Sequence, residues 1–310
     1  VIRIVKRRAF LRVPAFAKIN LGIEVLGLRQ DGYHELRTLF QTIGLCDEIE
    51  LRRRRKKGIV LHCEHPLLPR DETNLAVRAA RDLMRHAGVS GGLDIRLIKR
   101  IPVAGGLGGG SSDAAAVLMA LDRLYDLGMG PARLHAFARR LGADVPFFLL
   151  GGTALGLGRG DEVYPLEKQL RALVVVVDMG RPVSTAAVFR RLDAQLTPKE
   201  NGYTIFRFVS SDWEDRAAFR ILTNELERPA LEEAPDLVSR VQRIRRVLLD
   251  GGAVLAGLSG SGSSCYGLFN EPAAARRAVN AVRAAGFVAH RSRTLTLGEF
   301  RRAWTPILGR

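Results

Sequence analysis

Two ionisable residues stand where such residues are costly. Lys18, one of only seven lysines, sits in the apolar segment Pro-Ala-Phe-Ala-Lys-Ile-Asn-Leu-Gly at 14–22. Asp144 sits in Gly-Ala-Asp-Val-Pro-Phe-Phe at 142–148. A lysine or carboxylate taken out of water needs an opposite charge or an anion beside it. Held together, the two suit phosphoryl transfer: the aspartate takes the proton of an attacking hydroxyl and the ammonium stabilises negative charge. A purely structural ion pair satisfies the same burial argument.

The stretch at 101–113, Ile-Pro-Val-Ala-Gly-Gly-Leu-Gly-Gly-Gly-Ser-Ser-Asp, offers a place for the phosphate. Five of the six residues from Gly105 to Gly110 are glycine, so the backbone can take positive φ and approach a ligand without Cβ interference. A helix expected over 114–127 would aim its free N–H groups and positive dipole end back at that loop. Ser111 and Ser112 add hydroxyls that could cap the helix, bind phosphate or help hold a metal. No Gly-Lys pair occurs, which excludes the P-loop. A second helix expected near 131–141, where a Rossmann fold needs a strand, argues against a dinucleotide site. The His-Arg-Asp and Asp-Phe-Gly signatures of protein kinases are missing.

Other polar residues are more ambiguous. Tyr33 and His34, in Asp-Gly-Tyr-His-Glu-Leu at 31–36, pair a stacking face with an imidazole able to read a base edge, or simply decorate a surface turn. Asn74 is a nucleotide contact or a helix cap. His62, Cys63, Glu64 and His65 lie on an extended segment whose residues alternate faces, which argues against a metal cluster.

These residues need a scaffold. At 310 residues, 47% hydrophobic and 26% charged, the chain has the composition of one large or two medium globular domains. No apolar run reaches membrane-spanning length, and the apolar part of the opening residues is too short for a secretory signal. Widely spaced Cys46, Cys63 and Cys265 fit a reducing compartment, so a cytoplasmic protein is expected. The net charge of +16 raises the question of nucleic acid. The dense basic run at 52–57 lacks interleaved aromatics and any finger or helix-turn-helix pattern, so it reads as a solvated hairpin tip. Positive potential would also steer a multiply phosphorylated small molecule inward.

The periodicity predicts an N-terminal strand over 9–28 interrupted by a turn, and a hairpin of 46–51 with 59–63 around the basic run. It predicts a helix opening at Asn74, and a strand through Leu93, Ile95 and Leu97 that feeds the glycine loop. A strand at 173–177 should be buried on both faces. An irregular polar stretch at 196–216 and a second glycine–serine loop at 257–264 follow, with a soft domain boundary near 165.

Taken together, the chain resembles the GHMP superfamily, the galactokinase, homoserine kinase, mevalonate kinase and phosphomevalonate kinase group. The N-terminal Pro-x-x-x-Lys-x-Asn-Leu segment, the Gly-Leu-Gly-Gly-Gly-Ser-Ser loop and the C-terminal Gly-Ser-Gly-Ser loop appear in the expected order. Residues 17–21, 31–34, 39–41, 105–113 and 142–146 are similar to the branch acting on a cytidine-diphosphate-linked methylerythritol. The resemblance implies an α+β fold of two domains, a ribosomal-protein-S5-like ATP-binding domain over 1–165 and a ferredoxin-like GHMP domain over 166–310. It implies ATP-dependent phosphorylation of the substrate 2-hydroxyl in the non-mevalonate isoprenoid pathway, with magnesium. Sister kinases of homoserine or mevalonate type, or a catalytically silent nucleotide- or nucleic-acid-binding relative, are the alternatives.

On matching positions the resemblance makes Asp144 the base and Lys18 its partner. Pro102, Val103, Ala104, Gly105, Gly106, Leu107, Gly108, Gly109, Gly110, Ser111 and Ser112 would wrap the ATP phosphates, with Asn74 near the nucleotide. Tyr33 and His34 would recognise cytosine, Phe189 would add a second stacking face and Asn20 would position the substrate. Gly260, Ser261 and Gly262 would close the site between domains, and Ser112 and Asp144 are the candidate magnesium contacts. No nucleic-acid or membrane partner is expected; the oligomeric state is left open.

Overall fold

The computed structural model describes residues 10–193, 203–304 and 307–308. The first part runs β1 (Phe10–Leu28), β2 (His34–Arg54), β3 (Gly58–His62), α1 (Leu75–His86), β4 (Gly92–Ile98), α2 (Gly109–Tyr125), α3 (Gly130–Leu141), α4 (Val145–Leu150), β5 (Thr153–Leu157) and β6 (Glu162–Pro165). The second runs β7 (Leu173–Asp178), α5 (Thr185–Asp193), α6 (Thr204–Ser210), a 3₁₀ segment (Arg216–Ile221), α7 (Glu227–Glu233), a short 3₁₀ turn (Pro235–Leu237), α8 (Val238–Asp250), β8 (Leu255–Leu258), β9 (Cys265–Phe269), α9 (Pro272–Ala284) and β10 (Val288–Arg293). α10 (Leu297–Ala303) and β11 (Ile307–Leu308) then return to the first sheet, where β11 pairs with β1.

The first sheet has the order β11-β1-β2-β4-β3, with β5 and β6 branching from β2. β1 and β2 pair from Phe10–Arg52 to Leu28–His34 without an intervening turn. The interruption expected in β1 is instead a set of pairing irregularities at Phe16/Ala17, Asn20/Gly22 and Val25/Gly27. The expected hairpin of 46–51 with 59–63 does not form. β4 inserts between the two segments, antiparallel to β2 and parallel to β3, because α1 provides the crossover that parallel neighbours require.

The basic run straddles that connection, and three of its arginines have local partners. Arg52 approaches Glu50 at 3.4 Å, Arg54 approaches Asp94 at 3.2 Å, and Arg53 lies 4.4 Å over the Tyr125 ring. α2 starts at Gly109, five residues before the expected start, because the last glycines already have helical geometry. Its fully buried Ala114, Ala115 and Ala116 share one core with Ala79 and Ala80 of α1, small side chains that permit close packing.

The second sheet is antiparallel, with order β10-β7-β9-β8. With helices after its first and third strands, this is the βαββαβ arrangement of a ferredoxin-like domain. β7 is buried on both faces as its composition predicts. Val175 and Val177 join the helices of this domain, while Val174 and Val176 meet Ala17, Ile19, Leu39 and Ile43 of the first sheet. Each such valine contributes about 1.5–3 kcal/mol of burial, so the two sheets are joined by a true core. The stretch at 196–216 is not uniformly irregular. Residues 194–202 lie outside the described residues, but α6 follows, with Ile205 and Phe208 buried in the inter-sheet core. Among the described residues no helix is long and apolar enough to cross a membrane.

Candidate active site

The irregularity at Phe16/Ala17 aims the lysine. Leu11, Val13 and Ala15 face the helices of the first domain, whereas Ala17, Ile19 and Leu21 face the second sheet. The swap turns Lys18 and Asn20 to the helix side, the re-aiming that bulges perform beside active sites. The backbone N–H of Lys18 donates to the Leu107 carbonyl at 3.0 Å, which fastens β1 to the glycine loop. The side chain is 4% exposed. Its Nζ donates to Asn20 Oδ1 at 2.5 Å and stands 3.4 Å from Asp144 Oδ2. Asn20 in turn donates from Nδ2 to Thr38 Oγ1 at 2.7 Å, so its acceptor is fixed toward the lysine.

Asp144 precedes α4, with Pro146 in the first turn, and its carboxylate caps no backbone N–H. At 36% exposed, it faces an open space rather than a core. The buried pair therefore has one dry and one wet member.

The glycine loop and the second glycine–serine loop interlock. Ser259 Oγ donates to the Gly106 carbonyl at 2.9 Å, and the Ser264 N–H donates to the Gly105 carbonyl at 3.1 Å. A Cβ on Gly106 would lie 2.0 Å from the Ser259 carbonyl oxygen, and φ there is +75°. A Cβ on Gly108, whose φ is +71°, would meet the Phe148 ring at 2.6 Å. These two glycines are demanded both by conformation and by close approach. Gly108 is also the residue before α2, which has no side-chain cap, so neither serine caps it.

A cavity of about 430 Å³ joins these parts. Its lining includes Lys18, Asn20, every residue from Pro102 to Ser111, Asp144, Phe189, Gly260 and Ser261. That size suits a small-molecule site. Five other candidate residues are not in the lining. Ser112 is buried and its hydroxyl donates to the Phe16 carbonyl at 2.6 Å, which ties α2 to β1. Asn74 caps α1, accepting from the Ala76 N–H at 2.9 Å and donating to the Pro69 carbonyl. Gly262 is buried, its N–H donating to the Ser259 carbonyl at 3.0 Å. His34 is buried, its Nε2 2.6 Å from Asp193 Oδ1, and it stacks on Phe189 with centroids 4.7 Å apart. Tyr33 is 54% exposed, with the Arg159 guanidinium 4.6 Å over its ring.

Lys99 and Arg159 also line the cavity, and sequence reading missed both. Lys99 is buried between Asp47 and Asp113, 2.8 Å from Asp113 Oδ2. Asp47 Oδ1 also accepts from the Arg100 and Ile101 N–H groups, which fixes the entry to the loop. Burial, reinforced by Asp47 and opposed by Lys99, pushes the Asp113 carboxyl up to about 7. Lysine within two residues of a strand end was an available signal; its two acidic partners, 52 and 14 residues away, were not.

Asp144 is the one carboxylate in the lining among the described residues. Among the described residues no group of three or more His, Cys, Asp or Glu forms a metal cage. The donor set therefore fits a magnesium ion only as one protein ligand beside oxygens brought by phosphate and water.

Comparison with known proteins gives the family and the fold. Residues 74–152 match the GHMP kinases N terminal domain, and residues 211–287 match GHMP kinases C terminal. The 4-diphosphocytidyl-2-C-methyl-D-erythritol kinase of Solibacter usitatus is 44% identical over 88% of this chain and 85% of its own. That of Geobacter sulfurreducens is 42% identical over 92% of this chain and 99% of its own. A crystal structure of 4-(cytidine 5'-diphospho)-2C-methyl-D-erythritol kinase superposes with a TM-score of 0.75 at 37% identity, over 91% of this chain and 98% of that one. Homoserine kinase from Cytophaga hutchinsonii, with a TM-score of 0.71 at 19% identity, shares the fold. With such identity across nearly the whole length, the chain belongs to the 4-diphosphocytidyl-2-C-methyl-D-erythritol kinase family of GHMP kinases.

Proposed function

We propose that the protein transfers the γ-phosphoryl group of ATP to the 2-hydroxyl of 4-diphosphocytidyl-2-C-methyl-D-erythritol, with Asp144 as general base. The observation that carries this reading is the 3.4 Å approach of Lys18 Nζ to Asp144 Oδ2 in the cavity that the glycine loop also lines. The loop amides from Gly106 to Ser111 and the start of α2 take the ATP phosphates. The substrate oxygen attacks the γ-phosphorus while its proton passes to Asp144. The bond from γ-phosphorus to the β,γ-bridging oxygen breaks, and ADP leaves with the electron pair. Lys18, held by Asn20, stabilises the charge that develops on the transferring group.

Tyr33 and Phe189 take the cytosine, with His34 beside them, and Asn20, Gly260, Ser261 and Gly262 shape the other wall. The stacked Phe189–His34 pair supports this reading because it keeps an aromatic face at the cavity rim. Asn74 and Ser112 act behind the nucleotide site, one capping α1 and the other tying α2 to β1. Asp144 would be the one protein ligand to a magnesium ion brought with ATP, and that ion would supply neutralisation of the phosphate oxygens. Mixing purified protein with ATP and each candidate acceptor tests the reading. Turnover of the cytidine-linked substrate, without turnover of homoserine or mevalonate, is expected. Turnover of either sister substrate in its place would overturn it.

A further inference from the structure

Among the described residues three cations line the cavity, and they are not balanced alike. Lys99 is held between two aspartates, and Lys18 faces Asp144. Arg159 donates from Nη2 to Asp161 Oδ2 at 2.8 Å, but the same oxygen also receives Nε of Arg139 at 2.9 Å. Burial alone would push the Asp161 carboxyl up, yet the two arginines hold it below the usual range. One buried carboxylate oxygen thus serves two guanidinium groups. Nearby Asp31 is already engaged by Arg29 at 3.3 Å. The remaining donors of Arg159 have no carboxylate partner among the described residues.

The backbone fixes where this charge stands. Arg159 occupies the turn between β5 and β6, flanked by Gly158 at φ +66° and Gly160 at φ +88°. The Gly158 carbonyl accepts from the Leu36 N–H at 2.7 Å, which anchors the turn to β2 close to Tyr33 and His34. From there the guanidinium lies 4.6 Å over the Tyr33 ring and lines the cavity that also contains Asp144. In a substrate with a base at one end and the accepting hydroxyl at the other, the linking diphosphate must pass between Tyr33 and Asp144. Arg159 stands at the Tyr33 end of the cavity that such a linker would cross.

We propose that Arg159 binds the diphosphate of the acceptor substrate, using its planar fork on phosphate oxygens while its face stays on Tyr33, with Asp161 as a positioning residue. This rests on the reading of the acceptor as a cytidine diphosphate derivative. It makes Arg159 a specificity residue for the acceptor and assigns it no part in ATP binding.

The test compares binding of CDP and cytidine by calorimetry, and the KM for ATP, in wild type, Arg159→Gln and Arg159→Lys. The preference for CDP over cytidine should fall about tenfold or more in Arg159→Gln and recover partly in Arg159→Lys, with the KM for ATP moving less than about threefold. Equal losses for CDP and cytidine would overturn the inference and leave Arg159 as a support for Tyr33 only. A rise in the KM for ATP with CDP binding intact would also overturn it. Wild-type protein that binds neither CDP nor cytidine would instead sink the acceptor assignment itself. Because Arg159 is half-buried and shares buried Asp161 with Arg139, some loss of thermal stability is expected in both variants, and binding is compared at a temperature where wild type and variants are fully folded.

Discussion

Lys18 Nζ and Asp144 Oδ2 stand 3.4 Å apart, although one side chain is almost wholly buried and the other is a third open. A buried ammonium needs compensation, and Asn20 Oδ1 supplies a closer contact than Asp144 does. Asp144 is thus near enough to feel the positive charge but is not committed to it. The proposed role of proton acceptor needs that freedom. Lys18→Met, which keeps the apolar stem, should lower kcat by about 10²–10³-fold and leave substrate binding within about fivefold. Steady-state kinetics with both substrates varied checks this.

Asn20 connects the lysine to Thr38, so its role is indirect. Asn20→Ala should lower kcat about tenfold by letting the ammonium drift, with a smaller change in the KM for ATP. Asn20→Asp, which adds a competing carboxylate beside Lys18, should be worse than alanine. A kcat for the aspartate variant above that of the alanine variant would contradict the positioning role.

Gly106 and Gly110 separate conformational need from ligand approach. Gly106→Ala places a Cβ 2.0 Å from the Ser259 carbonyl oxygen at positive φ, so it should cost about 1–3 kcal/mol of stability and weaken ATP binding together. At Gly110 the nearest atom to a new Cβ is Leu75 Cδ1 at 3.9 Å. Gly110→Ala should therefore melt like wild type, and any loss of ATP affinity reports phosphate contact. Thermal unfolding and nucleotide titration of the two variants check both statements.

Asp113 gives a pH signature. Its folded carboxyl titrates near 7, raised first by burial and further by Asp47, whereas the unfolded one titrates near the ordinary aspartate value of 3.8. The folded state thus holds more protons in that window, so this group's contribution to stability falls as pH rises from about 4 to 7. Asp113→Asn should remove that decline, gaining stability relative to wild type as pH rises from about 4 to 7 and holding that gain above it. A difference that stays constant or reverses with pH in melting experiments would contradict the assignment.

Much of the site was legible from chemical incongruity. A lone lysine and a lone aspartate in apolar segments, and five glycines before a helix, mark themselves. The rotation of β1 was not legible. Every odd residue from Leu11 to Val25 is apolar, both before and after the face swap, because each face of the strand is covered by a different core. An alternation that is buried on either side gives no sign of where it changes sides. The hairpin expected around the basic run failed for a related reason: local alternation cannot reveal that β4, more than thirty residues later, takes the middle position. Arg159 was hidden because its meaning lies in sharing Asp161 with Arg139 and in reaching Tyr33, relations that only the fold creates.

The most direct measurement is the single-turnover rate of phosphoryl transfer in Asp144→Asn, an isosteric change that removes the proton acceptor. A fall of about 10²–10⁴-fold is expected, with dissociation constants for ATP and CDP within about threefold of wild type. A rate near wild type, or a loss explained wholly by weaker binding, would contradict Asp144 as the base.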